Sequence, residues 1–170
     1  ASEKPEMSVS AKTNQVEADM IAAMVERIFR QADRFDYSAT VGVIVPYRNQ
    51  IATVRNAIDR YGIPALHSIT IDTVERFQGS QRDYIIYGLT VQQRCQLNFL
   101  TDNVFEEDGT LIDRKLNVAM TRARKHLTIV GNPDILAGSA VYRRLMDFMK
   151  SRGCYFNVAC EKFCAGDFSV

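Results

Sequence analysis

The chain lacks several features that would place it in a specialised class of protein. No apolar run approaches the roughly 18 residues that a membrane-spanning helix requires, and no signal peptide opens the sequence. Only 4 cysteines occur in 170 residues, at positions 95, 154, 160 and 164, and each lies in otherwise ordinary sequence. We therefore expect a cytoplasmic protein with reduced thiols and no contact with a membrane.

Clustered metal ligands are missing as well. Cys160 and Cys164 could form half of a metal site, but no second pair of cysteines or histidines follows at ligand spacing, so no metal is expected. His67 and His126 have no partners at catalytic spacing, and we interpret both as structural. The formal net charge of +1 neither indicates nor excludes nucleic acid, so such a partner must be argued from motifs.

The remaining composition is that of one globular domain. The apolar fraction is 46%, and a chain of 170 residues can bury about 70% of its unfolded surface without disulfides or metals. Residues 1–12 are polar and lack periodicity, so they are expected to be a flexible lead-in. We expect the domain to span residues 13–153 and a C-terminal tail to span residues 154–170.

Helical and strand patterns alternate along the domain. Strands are predicted at 41–46, 69–74, 84–91 and 127–130, and helices at 14–32, 49–61 and 139–152, with a short helical turn after Asn132-Pro133. This alternation predicts an α/β fold with a mostly parallel sheet. Residues 92–113 interrupt the pattern and contain the acidic stretch 105–109, so we predict a solvated surface insertion there.

Ligands of parallel sheets bind at the carboxyl ends of the strands, where the loops cluster. Three polar segments are expected at these ends: PYRNQ after the first strand, ERFQGSQRD after the second and GNPD after the last. The pattern therefore predicts that the functional residues gather along one edge of the sheet.

The most informative segment is LNVAMTRARKHLTIVGN, residues 116–132. If the helix continues through the RAR sequence, Leu116, Met120 and Ala123 form a face buried against the sheet. Arg122 and Arg124 then lie roughly 200° apart around the helix, at about 100° per residue. One cation near a helix C-terminus is enough to complement its dipole, so two diverging arginines indicate an anionic partner outside the helix.

Three blocks together resemble a known family. VGVIVPYRNQ, TVERFQGSQRD and LNVAMTRARKHLTIVGN are similar, in order and spacing, to motifs IV, V and VI of superfamily 1 helicases, in the branch typified by the nonsense-mediated-decay helicase. The resemblance covers about residues 14–152. It implies a RecA-like second motor domain, a three-layer sandwich that closes over ATP together with a first motor domain and moves along single-stranded nucleic acid.

The resemblance also implies roles for individual residues at the nucleotide. Arg122 aligns with the arginine finger, which supplies positive charge as the γ-phosphate leaves, and Arg124 aligns with the second arginine of the motif, whose role is expected nearer to interdomain contacts. Gln78 and Gly79 align with residues near the phosphates and ribose. Gln81 stands where the family commonly has an acid, so its amide can hydrogen-bond but cannot supply negative charge.

Four further residues are expected at the nucleic acid. Thr73 aligns with a hydroxyl residue that holds a backbone phosphate, although a β-branched residue also simply favours a strand. Tyr47 could stack on a base while Arg48 or Asn49 touches the backbone. The alternative for these three residues is a turn that caps a helix. Phe77 is predicted to belong to the core.

Two motifs of a complete helicase motor are missing from the chain. No G-x-x-x-x-G-K-S/T loop occurs, and no acidic magnesium-binding block follows a strand in the expected place. We therefore expect that an N-terminal RecA-like domain of the same parent protein precedes Ala1 and holds ATP and Mg²⁺. The isolated chain is expected to be inactive. Single-stranded nucleic acid is the expected partner, with DNA slightly favoured over RNA.

Two other functions fit parts of the sequence. The first is a non-catalytic helicase-like module that binds single strands or other proteins, which the glutamine at position 81 favours. The second is a free-standing flavodoxin-like or Rossmann-like binder of a small ligand. That fold would need a glycine-rich turn after its first strand, and the sequence contains none.

Overall fold

The computed structural model describes residues 12–77 and 80–166. Their strands are β1 (Val41–Val45), β2 (Thr70–Thr73), β3 (Arg82–Gly88), β4 (Val104–Glu107), β5 (Thr110–Asp113) and β6 (Ala123–Val130). Their α-helices are α1 (Gln15–Gln31), α2 (Arg48–Asp59), α3 (Arg94–Leu100), α4 (Arg114–Arg122), α5 (Pro133–Leu136), α6 (Ala140–Ser151) and α7 (Cys160–Cys164), and a 3₁₀ helix spans Pro64–Leu66.

Four of these strands form one parallel sheet in the order β2-β1-β3-β6. The central strand β1 pairs with β2 and β3, and β3 also pairs with β6, with Arg82 opposite Ala123 and Gly88 opposite Val130. The predicted α/β fold with a parallel sheet is therefore confirmed. The remaining two strands, β4 and β5, form an antiparallel hairpin.

Helices cover both faces of the sheet and produce two hydrophobic cores. One core joins α1 and α2 to Val41, Val43 and Val45 of β1. The other joins α3, α4, α5 and α6 to Ile44 and the alternate residues of β3. All five residues of β1 are buried, as predicted for a β-branched run in the centre of a parallel sheet. The three-layer arrangement follows from these two cores.

Several helix boundaries agree with the sequence signals. Asn14 caps α1, because its side chain accepts a hydrogen bond from the amide of Glu17, and Asn132 caps α5 in the same way with Pro133 at the first helical position. Gly153 follows α6 with a φ of +68°, a conformation in which glycine is favoured. None of the helices in the described ranges is long and apolar enough to cross a membrane.

The predicted course of the arginine-bearing segment is wrong at its C-terminal end. α4 stops at Arg122, and β6 begins at Ala123, four residues before the predicted strand. The helix ends here because β6 pairs with the whole length of β3. This pairing requires an extended backbone from Ala123 onward. The buried face of α4 therefore comprises Leu116 and Ala119, whereas Met120 is 52% exposed.

The prediction of a solvated insertion at residues 92–113 is correct for its many exposed residues and wrong for those that anchor it. α3 packs Leu97 and Leu100 into the second core, and Asp113 at the end of β5 is only 2% exposed. The exposed residues include 92–95, 98 and 99 and the tip of the β4–β5 hairpin, where the acidic stretch lies and Asp108 and Gly109 have positive φ. Leu97 and Leu100, together with the fully buried and hydrogen-bonded Gln96, anchor this segment.

Part of the predicted tail also packs on the domain. The guanidinium of Arg27 in α1 lies 4.5 Å from the ring centre of Phe163 in α7 and donates to its carbonyl oxygen. Cys160 lies in the same helix, and its Sγ approaches the carbonyl oxygen of Val16 at 3.5 Å. The division of the chain at residue 153 stays a prediction, and residues 1–11 lie outside the described residues.

Gly42 in β1 is required by close packing. A Cβ at this position would lie 2.5 Å from Cζ of Phe77 and 3.0 Å from Cγ of Arg82. We predict that Gly42→Ala lowers the free energy of unfolding by about 1–3 kcal/mol, since overpacking forces neighbouring side chains away from their preferred positions. Urea denaturation measures this difference. The same change should cost less in a Phe77→Leu background, and an equal cost in both backgrounds would contradict the explanation.

Candidate nucleotide and nucleic-acid site

The predicted functional residues lie on two opposite edges of the parallel sheet. Tyr47, Arg48, Asn49 and Thr73 lie at or directly after the carboxyl ends of β1 and β2, which we call the carboxyl edge. Gln81, Arg122 and Arg124 lie at the amino ends of β3 and β6, which we call the amino edge. The prediction of a single functional edge is therefore wrong.

The second sequence block explains this division. PYRNQ and GNPD follow the carboxyl ends of β1 and β6 as predicted, but ERFQGSQRD starts at the carboxyl end of β2 and finishes at the amino end of β3. On the way it buries Phe77, which is 1% exposed, in the second core and confirms that prediction. Gln78 and Gly79 lie outside the described residues.

At the amino edge, the second and third blocks contact each other directly. The side-chain amide of Gln81 donates to the carbonyl oxygen of Thr121 in the last turn of α4, at 3.1 Å. The free carbonyls at the end of a helix need such partners. Gln81 therefore attaches the loop before β3 to the turn that carries Arg122.

Arg122 is half-buried at the end of α4 and has little to neutralise its charge. Its Nε is buried without a hydrogen-bond partner, and its Nη2 lies 3.4 Å from the hydroxyl oxygen of Thr121. Among the described residues, no carboxylate lies within salt-bridge distance of this guanidinium. A buried polar atom without a partner is uncommon in folded proteins, so Arg122 is suited to an anionic partner from outside the domain.

Arg124 has a different environment. It is on β6, exposed, and its Nη1 lies 3.8 Å from Asp83, whose other carboxylate oxygen accepts from Lys125 at 2.8 Å. Arg124 and Arg122 therefore do not share one helix as the sequence predicted. The charge of Arg124 is partly balanced within the domain.

Arg82 is a further arginine at this edge that sequence reasoning missed. It is 8% exposed, and its two Nη atoms donate to the hydroxyl of Thr70 and the carbonyl oxygen of Gln81, each at 2.9 Å. Burial lowers the pKa of Arg82, and the nearby positive charge of Arg124 lowers it further. Arg82 therefore supports the backbone of Gln81. No sequence signal distinguished it, because it depends on β2 and β3 lying on either side of β1.

At the carboxyl edge, the first block presents two exposed polar side chains. Arg48 and Asn49 occupy the first turn of α2 and are exposed. Tyr47 is the N-cap residue, is only 7% exposed, and stacks on Phe99 with ring centres 4.9 Å apart. Burial raises the pKa of Tyr47 to about 12. One face of the Tyr47 ring is thus occupied by Phe99.

Thr73 is less accessible than its predicted role requires. It is 6% exposed at the end of β2, and its carbonyl oxygen accepts from the amides of Arg76 and Phe77 as the chain turns.

The two histidines contact neighbours that are consistent with structural roles. His67 pairs with Asp59 at 2.8 Å, and the ring of His126 stacks on Tyr84 with centres 5.2 Å apart.

A buried polar cluster lies beneath the carboxyl edge. Asn14 and Gln50 exchange two hydrogen bonds, at 2.8 and 2.9 Å, between the start of α1 and α2. Glu17 is 4% exposed, and its Oε2 accepts from the amide of Thr90 at 2.7 Å. Thr90 itself has a φ of +55°, which is rare for a β-branched residue. Sequence spacing could not reveal this cluster, because its members are far apart in the chain.

The amino edge fits a nucleotide phosphate better than it fits a metal ion. The guanidinium of Arg122, which has no acidic partner among the described residues, fits a phosphate, whereas Asp83 at the same edge is already bound to Lys125. Across the described ranges, no three His, Cys, Asp or Glu side chains converge as a metal site. The residues at the amino edge therefore suit an anion better than Mg²⁺.

A parallel α/β sheet that carries three such blocks defines a superfamily 1 helicase domain of the nonsense-mediated-decay branch. Residues 1–134 match the family model described as "AAA domain", and the chain belongs to this family. The match includes all three blocks and ends inside α5.

Two of three similar curated relatives are named as helicases. The chain is 33% identical over 141 residues to "Helicase sen1" of Schizosaccharomyces pombe, which covers 82% of this chain and 8% of the relative. It is 31% identical over 154 residues to "Helicase SEN1" of Saccharomyces cerevisiae, covering 89% and 6%. It is 29% identical over 145 residues to "Regulator of nonsense transcripts 1 homolog" of Neurospora crassa, covering 83% and 12%. The chain thus spans a small part of each relative's length.

Glu17 gives the domain a testable pH dependence. Burial raises the pKa of Glu17 from 4.5 to about 8, outweighing the hydrogen bond from Thr90. The folded protein therefore keeps a proton that the unfolded chain releases, and the resulting stabilisation is complete below pH 4.5 and is lost as the pH rises through about 8. Glu17→Gln should remove this decline, since its side chain stays neutral. Urea denaturation at pH values on both sides of this window measures the difference. Parallel pH profiles for both proteins would contradict the assignment.

Proposed function

We propose that this chain is the second motor domain of an ATP-dependent superfamily 1 helicase. In this proposal Arg122 is the arginine finger and completes a nucleotide pocket whose other wall belongs to an N-terminal RecA-like domain of the same polypeptide. The observation that carries the proposal is the guanidinium of Arg122, which has no acidic partner among the described residues and lies where the second and third blocks meet.

Arginine suits this role because its planar guanidinium matches phosphate oxygens and keeps its charge at all physiological pH values. As the γ-phosphate leaves, negative charge accumulates on its oxygens, and a positioned cation lowers the barrier. Arg122 would be delivered to the phosphate when the two motor domains close. Mg²⁺ would be held mainly by the other domain, since the acidic side chain at this edge is paired with Lys125.

The other residues of the amino edge take supporting roles in this proposal. Gln78 and Gly79 would seat the nucleotide, as the resemblance implies. Gln81 holds the last turn of α4 through its amide, so a contact with the ribose would come in addition to that bond. Arg124, which is exposed beside Asp83, would contact the other motor domain near the nucleotide.

The carboxyl edge would bind the single strand. Arg48 and Asn49 are exposed and can contact backbone phosphates. Thr73 and Tyr47 are both buried, and the backbone of Thr73 is already hydrogen-bonded within the domain. We therefore propose that Thr73 meets the strand through its hydroxyl and Tyr47 through the edge of its ring. DNA was the expected track, but the name of the Neurospora relative refers to transcripts, so both polymers belong in the test.

We predict that Arg122→Ala, made in the full-length protein that carries this chain, lowers the ATPase turnover number at least about a hundredfold, or about 2.7 kcal/mol of barrier. Binding of single-stranded DNA and RNA should stay close to wild type. Steady-state ATPase assays with matched oligonucleotides measure the first effect, and fluorescence anisotropy measures the second.

Arg143→Ala, which removes an exposed arginine on α6, is the matched control and should leave turnover unchanged. An unchanged turnover number for Arg122→Ala would refute the finger assignment. If the wild-type protein binds oligonucleotides but hydrolyses no ATP, the non-catalytic binding module becomes the better description.

A further inference from the structure

Lys115 is a buried lysine in an unfavourable position. It is 7% exposed and lies in the first turn of α4, where a positive charge opposes the helix dipole. Its Nζ donates to Oδ1 of Asp102 at 3.0 Å and to the carbonyl oxygen of Phe99 at 3.1 Å. It also lies 4.4 Å from the ring centre of Phe99. These contacts fasten the start of α4 to the end of α3.

Phe99 connects this lysine to the first sequence block. The Phe99 ring also stacks on Tyr47, with ring centres 4.9 Å apart and an angle of 21° between the ring planes. Tyr47 begins the segment Tyr47–Asn49, which comprises the N-cap and the start of α2. We call this segment the track loop because the proposed function assigns it to the single strand. The track loop therefore contacts Phe99, and Phe99 contacts Lys115, which belongs to α4.

α4 extends from this contact to the amino edge. It contains 9 residues, or about 13 Å of helix at about 1.5 Å per residue, and Arg122 is its last residue. Asp113 caps its start by accepting from the amide of Leu116 at 3.0 Å, and Gln81 binds its last turn. A short helix that is held at both ends moves as one body, so a displacement at Lys115 reaches Arg122.

We infer that Lys115 and Phe99 are positioning residues that couple the nucleic-acid edge to the arginine at the nucleotide edge. When a strand occupies the track loop, Tyr47 shifts against Phe99, and Lys115 carries the shift to α4 and Arg122. By linkage, the same contacts alter affinity for the strand when ATP is bound. This inference rests on the proposed function for its two ligands.

The test uses Lys115→Met in the full-length protein, because methionine keeps most of the side-chain volume and removes the charged donor. The ratio of ATPase turnover with saturating oligothymidylate or oligouridylate to turnover without it should fall at least about fivefold, the lower end of typical couplings. KM for ATP and oligonucleotide affinity without ATP should change little. Lys115→Arg should restore much of the ratio, and Lys150→Met on the outer helix α6 should leave it unchanged.

A second variant and a second measurement keep the test decisive if Lys115→Met does not fold. Phe99 is 39% exposed, so Phe99→Leu should fold, and Phe99→Tyr should preserve the stack. Amide hydrogen exchange of residues 116–122 is measured with and without oligonucleotide in the absence of ATP. Binding should slow exchange in the wild type and in Phe99→Tyr, but not in Phe99→Leu or Lys115→Met.

The outcomes separate the inference from the proposed function. In one outcome, oligonucleotide stimulates the wild-type ATPase and Arg122→Ala lowers turnover, but the Lys115 and Phe99 variants behave like wild type in both measurements. The coupling is then wrong, and the motor function stands. If the exchange response depends on Lys115 while Arg122→Ala keeps full turnover, the coupling stands and the finger assignment fails. A wild type that binds neither oligonucleotide overturns both.

Discussion

Parallel pairing between β3 and β6 is the constraint on which the arrangement of this domain depends. It ends α4 at Arg122, because the residues from Ala123 onward are drawn into the ladder opposite Arg82. The same pairing brings Gln81 within hydrogen-bond distance of Thr121. Two sequence blocks that are separated by about forty residues thus form one polar surface, and neither block could form it alone.

The sequence predicted the secondary structure correctly wherever the local residue pattern agrees with the long-range pairing of strands and packing of helices. The buried run at 41–45, the caps at Asn14 and Asn132, and the burial of Phe77 all belong to this class. The end of α4 was not readable, because the helical period of the TRAR sequence continues past the point where sheet pairing overrides it. α3 was underestimated for a related reason. Leu97 and Leu100 are only two apolar residues, and their burial depends on the opposing α4 and α5.

The candidate site was predictable in its residue types but not in its geometry. The general rule for parallel sheets directs attention to the carboxyl edge, yet Arg122 and Gln81 lie at the other edge. Under the proposed function, a domain that supplies half of an interface need not use the pocket of its own sheet, since its charged side chains would contact a neighbouring domain. Buried groups such as Arg82 and Glu17 escaped notice because their partners, Thr70 and Thr90, come from distant parts of the chain.

The carboxylate of Asp113 has a consequence for where this domain ends. One oxygen caps α4, and the other accepts from the hydroxyl of Tyr142 on α6, which is 1% exposed. The match to the family model ends at residue 134, so the matched segment is shorter than the packed unit. A polypeptide trimmed at residue 134 would lose Tyr142 and leave the outer face of the second core open to water. Expression boundaries for this domain should therefore be drawn from packing, beyond α6, and not from the end of the family-model match.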